Sequence, residues 1–341
     1  MFYALPFLTA LALSLVVTPV VQWAALRSGW VALPRPERWS RRRTALLGGV
    51  AIFVSVMATF LYFIPIEDDK SLLGILVGGS FMFMVGLIDD IRKAPPYAKL
   101  LAQIVGAVTA VYSGIYFEMI PRAISIPLTV LWIVGITNAF NLIDNMDGLS
   151  AGIAVIASGI LFAYSIRNNE VFIALVCLAL AGGALGFLFY NFNPARIFMG
   201  DSGSMFIGYL VSVLAIIGTA NHVSNLVATL IVPTTVLGVP IFDAAFVALL
   251  RPLRRQAISQ GGRDHTSHRL VTLGLSERRA VLLIYAVSIG FGLVAFFYAR
   301  VDISLVIILT VLTTVLVIVI GRFLSEVKID PGTREPTLGK G

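Results

Sequence analysis

Carboxylates, amides and cations recur in this chain where apolar sequence gives out, and their spacing suits the handling of phosphate. Asp89-Asp90 closes the apolar run that ends Gly86-Leu87-Ile88. Adjacent carboxylates at a membrane edge repel one another and are costly unless a cation or a proton holds them together. Lys93, Lys99 and Gln103 follow within one short stretch, so cations that can meet a phosphate are close by. Taken alone, the acidic pair is equally well read as a solvated helix end beside Arg92 and Lys93.

The segment Asn138-Ala-Phe-Asn141-Leu-Ile-Asp144-Asn145-Met-Asp147-Gly148 carries an amide or a carboxylate at every third residue. On a regular helix each such step turns the side chain by about −60°. Neighbours in the row then adjoin, while its ends point to opposite sides. Asn138, Asn141, Asp144 and Asp147 can share one site only if the helix breaks or tightens near Asp144. Polar glue between helices is the plainer explanation, but one Asn or Ser usually suffices for that, and this row has Asn145 as well.

A third group runs from Asn191, Asn193 and Pro194 through Phe198 to Gly200-Asp201-Ser202-Gly203-Ser204. An Asp flanked by glycines, with backbone N–H groups and hydroxyls beside it, suits a metal-bound phosphate. It is not a Walker A loop, because no Gly-Lys-Ser/Thr follows. The fourth group, Arg263-Asp264-His265-Thr266-Ser267-His268-Arg269, sets two His at i and i+3 between arginines. A zinc pair would need a third ligand, so an anion clamp for a diphosphate is the better reading. His222 falls elsewhere and is read as incidental. Cys177 is the single cysteine, which excludes an intrachain disulfide, a cysteine zinc site and an iron–sulfur cluster.

The elements that must hold these groups are membrane helices. The 341 residues are 58% hydrophobic and 13% charged, with a mean hydropathy of +0.93, far too apolar for soluble domains. Apolar runs of roughly 20 residues, the length that crosses the hydrocarbon core, fall at 2–26, 44–66, 71–88, 98–116, 126–143, 149–166, 171–190, 205–220, 226–250, 280–299 and 303–321. The expected fold is therefore an all-α integral membrane protein of about eleven transmembrane helices. With the linker after Arg27 on one side and strict alternation, that side collects 21 Lys and Arg against 4 on the other. The positive-inside rule makes the basic side cytoplasmic, with the N-terminus outside and the C-terminus inside. All four polar groups then lie on the cytoplasmic face, where the longer loops are. The same rule and attraction to anionic lipid explain the basic loops, so no nucleic-acid partner is inferred. Pro233 and Pro240 should kink the ninth span and carry Asp243 and the Arg251–Arg255 cluster toward the site, where Asp243 either helps to shape the pocket or, the favoured reading, pairs structurally with one of those arginines. Residues 1–324 read as one polytopic domain, and 325–341, with Pro331 and Pro336, as a disordered cytoplasmic tail.

Taken in order, Asp89-Asp90 with Lys99, the Asn138 to Gly148 row, Asn191-x-x-Pro194-Ala195 with Phe198-Met-Gly-Asp201-x-Gly-Ser204, and the His loop resemble the polyprenyl-phosphate N-acetylhexosamine-1-phosphate transferases. The resemblance runs from the first span to about residue 300. It implies an eleven-span enzyme, often a homodimer, that uses magnesium, or manganese in its place. Such an enzyme moves a sugar-1-phosphate from a UDP-N-acetylhexosamine onto a polyprenyl phosphate in the bilayer and releases UMP. His265-Thr-Ser-His268 is similar to the His-x-His-His of the UDP-GlcNAc branch, with Ser267 at the middle His. The branch acting on UDP-MurNAc-pentapeptide carries three consecutive His and is a poorer match. The first loop departs as well, with Arg38 to Arg43 ahead of Gly48-Gly49 where the family usually has a His and a Pro.

By the same resemblance, Asn141 and Asp201 would hold the metal. Lys99 would screen the lipid phosphate, which Asp89 and Asp90 would deprotonate or orient, a covalent aspartyl route being the alternative. Asp144 and Asp147 would support the nucleotide sugar, to whose site Asn138, Gly200 and Ser204 are also assigned. Asn191 and Phe198 would lie near the uridine, and His265, His268 and Arg269 near the diphosphate. The rival of another class, a proton-coupled transporter, should keep its charges near the midplane, whereas these gather at span ends.

Overall fold

The computed structural model describes residues 3–32, 43–65, 69–219, 226–253, 264–298 and 303–327. Its helices are α1 (Ala4–Arg27), α2 (Gly48–Phe63), α3 (Lys70–Arg92), α4 (Pro96–Tyr112), α5 (Arg122–Ile143), α6 (Leu149–Arg167), α7 (Val171–Asn191), α8 (Gly200–Gly218), α9 (Leu226–Val236), α10 (Gly238–Leu253), α11 (Thr266–Thr272), α12 (Glu277–Tyr298) and α13 (Ile303–Glu326). Each apolar run of the sequence carries a helix. Among the described residues eight helices are long and apolar enough to cross a membrane, and α9 with α10 makes a ninth if the bent pair is one span. The α2 helix, at 16 residues, and α4, at 17, are shorter. Bare Ile307, Val311, Leu312, Leu316 and Val319 on α13 suit lipid, not water. The chain is a multi-pass membrane protein.

The α8 helix is the axis of the bundle. It is buried along 83% of its apolar length, against 6% for α13, and packs on α2, α3, α5 and α6. Two glycines allow its first turn to come so close. A Cβ on Gly86 of α3 would lie 2.4 Å from the carbonyl oxygen of Asp201, and one on Gly49 of α2 would lie 2.2 Å from the amide nitrogen of Gly203. Hydrogen bonds complete the contacts where no water can serve. Trp132 Nε1 donates to the Ser212 carbonyl (3.1 Å) and Tyr209 Oη to the Gly74 carbonyl (2.9 Å).

The all-α expectation needs one small amendment. Strands β1 (Val31–Ala32) and β2 (Thr44–Ala45) pair antiparallel, and Ala45 makes a parallel bridge to Ile197. Phe198 N–H donates to Ala45 O (2.8 Å), while the Gly48 and Gly49 amides donate to the carbonyls of Phe198 and Met199 (2.9 and 2.8 Å). The segment before α8 is thus held as an extra strand against the start of α2.

Two breaks fall where the sequence requires them. The α5 helix ends at Ile143 and α6 begins after Gly148 at φ +79°, which puts Asp144 to Asp147 in the turn between. The Pro-bearing ninth run breaks by 85° between α9 and α10, more than a kink. Pro240 sits in the first turn of α10, where its missing N–H costs nothing. The α13 helix continues through Ser325 and Glu326, past the point at which the sequence suggests a tail. Arg38 to Arg42, His222, Arg254, Arg255, Arg263 and residues 328–341 lie outside the described residues.

Gly49→Val should crowd the Gly203 backbone, which has no free side chain to swing aside. Overpacking of this kind costs about 1–3 kcal/mol, and a lowered thermal unfolding midpoint of the detergent-purified protein is expected. An unchanged midpoint would contradict the close contact of α2 with α8.

Candidate active site

The acidic pair ends α3 and meets the first turn of α8. Asp90 Oδ1 accepts the Asp201 amide (2.8 Å), and Oδ2 accepts the Ser202 amide (3.0 Å) and hydroxyl (2.7 Å). Asp90 therefore caps a neighbouring helix, supplying acceptors to the orphan donors of its N-terminus and negative charge to its positive end. Gly200, at φ +75°, makes room for it, since a Cβ there would lie 2.6 Å from Asp90 Oδ2.

Asp89 is buried. Its Oδ1 accepts the Ala94 amide (2.7 Å) and its Oδ2 receives the Lys99 ammonium (3.2 Å). Lys99 Nζ also donates to Asp201 Oδ2 (2.9 Å), so one cation from the first turn of α4 ties α3 to α8. Asn141 hydrogen-bonds the Asp201 carboxylate and donates to Ser204 Oγ (2.9 Å). Asn138, one turn earlier, exchanges amide hydrogen bonds with Gln103 of α4 (2.6 and 3.3 Å). The structure thus gathers Asp89, Asp90, Lys99, Asn138, Asn141, Gly200, Asp201 and Ser204 at one end of four helices. Three carboxylates face one ammonium, and Asp90 is offset by the α8 amides. Among the described residues no three His, Cys, Asp or Glu side chains converge as a metal cage would. Magnesium, however, usually takes one or two carboxylates and fills its shell with water and substrate phosphate. The hard oxygens of Asp201, Asp89, Asn141 and Ser204 fit that demand.

A second group fastens the turn after α5. Buried Asn191 accepts the Gly148 amide through Oδ1 (3.0 Å) and donates to the Ile197 carbonyl (2.9 Å). Asp147 Oδ2 accepts the Ala195 amide (2.8 Å) and the Asn193 side chain (3.4 Å). Burial pushes the Asp147 carboxyl above its ordinary value, although these two donors pull the other way. Asn193 also donates to Glu277 Oε2 (2.7 Å). Asp147 and Asn191 are therefore taken up in holding the loop that leads to α8. Asp144 is half-buried at the end of α5, and Phe198 is half-buried beside its paired backbone. Glu277 belongs to the Ser276-Glu-Arg-Arg-Ala280 run, which is similar to the UDP-GlcNAc branch, but its tie to Asn193 is not readable from that run.

The His loop forms the short helix α11. Ser267 Oγ donates to Asn145 Oδ1 (2.7 Å), which docks this helix on the α5–α6 turn. Among the described residues Asp243 pairs with His265 and Thr266, not with Arg251 as the sequence suggests. Its Oδ2 lies 2.7 Å from His265 Nδ1 and its Oδ1 accepts from Thr266, because the sharp break delivers the start of α10 to the start of α11. Arg251, farther along α10, instead makes a bidentate pair with Asp264 (2.7 and 2.9 Å). Burial pushes the Asp264 carboxyl up, but the hydrogen bonds and charge of Arg251 outweigh it and hold it below its ordinary value. Arg269 is engaged within the fold. It is fully buried, donates through Nη1 to the carbonyls of Leu324 and Val327 (2.8 and 2.9 Å), and stacks on Phe246. The carbonyl-rich end of α13 draws this cation. His268 is buried, its ring centroid 5.8 Å from that of His265.

Apolar spans whose ends carry a lysine-bridged carboxylate group and a histidine loop define a membrane enzyme. Residues 72–219 match the family model described as glycosyl transferase family 4. The chain is 37% identical over 299 residues to a Bacillus subtilis strain 168 protein named as a probable undecaprenyl-phosphate N-acetylglucosaminyl 1-phosphate transferase, covering 85% of this chain and 83% of that one. It is 30% identical over 329 residues to the decaprenyl-phosphate N-acetylglucosaminephosphotransferase of Mycolicibacterium smegmatis, covering 86% and 80%. A phospho-N-acetylmuramoyl-pentapeptide-transferase of Lactiplantibacillus plantarum is 32% identical over 220 residues, covering 57% and 68%. The chain belongs to glycosyl transferase family 4.

Asp90→Ala would orphan two amides and a hydroxyl at the start of α8. A lost helix cap costs about 0.5–2 kcal/mol, so the unfolding midpoint should fall, and Asp90→Asn, which keeps one good acceptor, should fall less. Equal midpoints for all three proteins would sink the capping role.

Proposed function

We propose that the protein transfers N-acetylglucosamine-1-phosphate from UDP-GlcNAc to a polyprenyl phosphate of the undecaprenyl class, as the first membrane step of an envelope polysaccharide. The observation that carries this is the Lys99 bridge between Asp89 and Asp201, with Asn141 and Ser204 beside it, where α3, α4, α5 and α8 meet. The sugar assignment is supported by relatives named for N-acetylglucosamine that match over most of the chain, whereas the muramoyl-pentapeptide relative covers 57% of it. The charge distribution along the sequence supports eleven spans with the site on the cytoplasmic face.

A phosphate oxygen of the lipid attacks the β-phosphorus of the UDP-sugar. The bond from that phosphorus to the bridging oxygen breaks, and UMP leaves with the oxygen. The nucleophile is already anionic, so the reaction needs positioning and charge screening more than a strong base. Lys99 screens the lipid phosphate, Asp89 holds Lys99 and takes any residual proton, and Asp90 fixes Asp201 through the α8 amides. Magnesium held by Asp201 and Asn141, with Ser204 beside them, would supply positive charge against the leaving UMP. Asp144 faces the nucleotide sugar, Asp147 and Asn191 brace the loop behind it, and the His loop closes over the diphosphate. The carboxylates sit in the last turn of α3 and the first of α8, not at mid-span, which separates this site from a proton-coupled transporter.

Purified protein given undecaprenyl phosphate and Mg²⁺ should release UMP from UDP-GlcNAc and lose that activity as Asp201→Ala. UMP from UDP-GalNAc or UDP-MurNAc-pentapeptide alone would keep the chemistry and replace the donor. No release from any of the three by folded protein would overturn the assignment.

A further inference from the structure

We infer that Asp243 is a positioning residue that acts through His265, an inference that rests on the transferase reading above. Asp243 is 1% exposed, just beyond the α9–α10 break. Its Oδ1 accepts both the amide (2.8 Å) and the hydroxyl (2.6 Å) of Thr266, and its Oδ2 lies 2.7 Å from His265 Nδ1. The carboxyl is an acceptor on every side, so the ring must bring the proton to that contact and Nδ1 carries it. The imidazole is then fixed in both tautomer and orientation.

The opposite nitrogen, Nε2, has no hydrogen-bond partner among the described residues. The charged neighbours are engaged elsewhere, Arg251 with Asp264 and Arg269 with the end of α13. A second proton on Nε2 would make an imidazolium whose charge Asp243 already balances, the least costly way to keep such a cation out of water. Its N–H is then a charge-assisted donor for an anionic oxygen, of the kind a diphosphate carries. Docked by Ser267 on Asn145 of the α5–α6 turn, α11 holds that donor next to the polar row that ends α5.

Asp243→Asn separates positioning from simple capping of α11. The amide keeps a carbonyl acceptor for Thr266 but offers the ring an N–H, which drives the imidazole proton to Nε2. The chain has three histidines, so ¹⁵N-histidine labelling with His265→Gln for assignment isolates the signal. Near pH 8 the wild type should show a protonated Nδ1 at His265, and Asp243→Asn an unprotonated one. Transfer kcat/KM for the UDP-sugar should fall by about tenfold or more, the scale on which orienting carboxylates act on histidines. In a His265→Ala background the same substitution should change the residual rate by less than about twofold. An unprotonated Nδ1 in the wild type, or equal losses in both backgrounds, would overturn the inference. A wild type that transfers from no UDP-sugar would remove the functional reading itself, and with it the diphosphate ligand. The ¹⁵N result would still decide whether Asp243 holds the Nδ1 proton.

Discussion

The meeting of the last turn of α3 with the first turn of α8 constrains the rest of the molecule, because three carboxylates must come together there at the end of apolar helices. Isolated charges in such a place are prohibitive. The chain meets the cost with one ammonium shared by Asp89 and Asp201, and with backbone amides that receive Asp90. Both devices work only at contact distance. Gly86 and Gly49 are therefore parts of the electrostatic solution, since a methyl group on either would keep α3 or α2 away from α8. Close helix packing and charge compensation impose the same geometry here.

The same need explains why the chemistry lies at helix ends. A regular helix satisfies its backbone internally, and its free amides and carbonyls appear only at its termini. Asp90 uses the amides of α8, and Arg269 uses the carbonyls at the end of α13. Asn191 and Asp147 serve the loops between helices, joining Gly148 to Ile197 and the Ala195 amide to the α5–α6 turn. A polar row that reads as one site along the sequence is thus divided in space. Asn138 and Asn141 join the lysine-bridged group, while Asp147 braces the approach to it.

This division marks how far the sequence could be read. The apolar runs, the break after Ile143 and the bend in the ninth run are local consequences of period, charge and proline, and all are visible in the chain. So is the grouping of Asp89, Lys99, Asn141 and Asp201, through the family pattern they form. Which donor meets which acceptor is another matter. The arginines that follow Asp243 closely in sequence suggest an Arg partner, yet the 85° break turns it to His265 and leaves Arg251 to Asp264. Arg269 reads as a phosphate ligand by its neighbours, and the sequence does not show that its Nη1 also reaches carbonyls more than fifty residues away. Asn193 meets Glu277 across a still longer separation, a pairing that the Ser276-Glu-Arg-Arg-Ala280 run does not announce.

The His loop shows how such distant ties create local structure. The α11 helix has seven residues, well short of the length at which a helix persists alone in water. Its start is held by Asp243 on the Thr266 amide and by Ser267 on Asn145, and Arg269, at its middle, ties it to α13. The conformation of His265 is therefore inherited from three other elements. Of these, the break between α9 and α10 is decisive, because a straight span would carry Asp243 away from α11 and leave both the helix start and the imidazole without their acceptor. The two prolines that bend a membrane helix thus set the direction of a histidine ring.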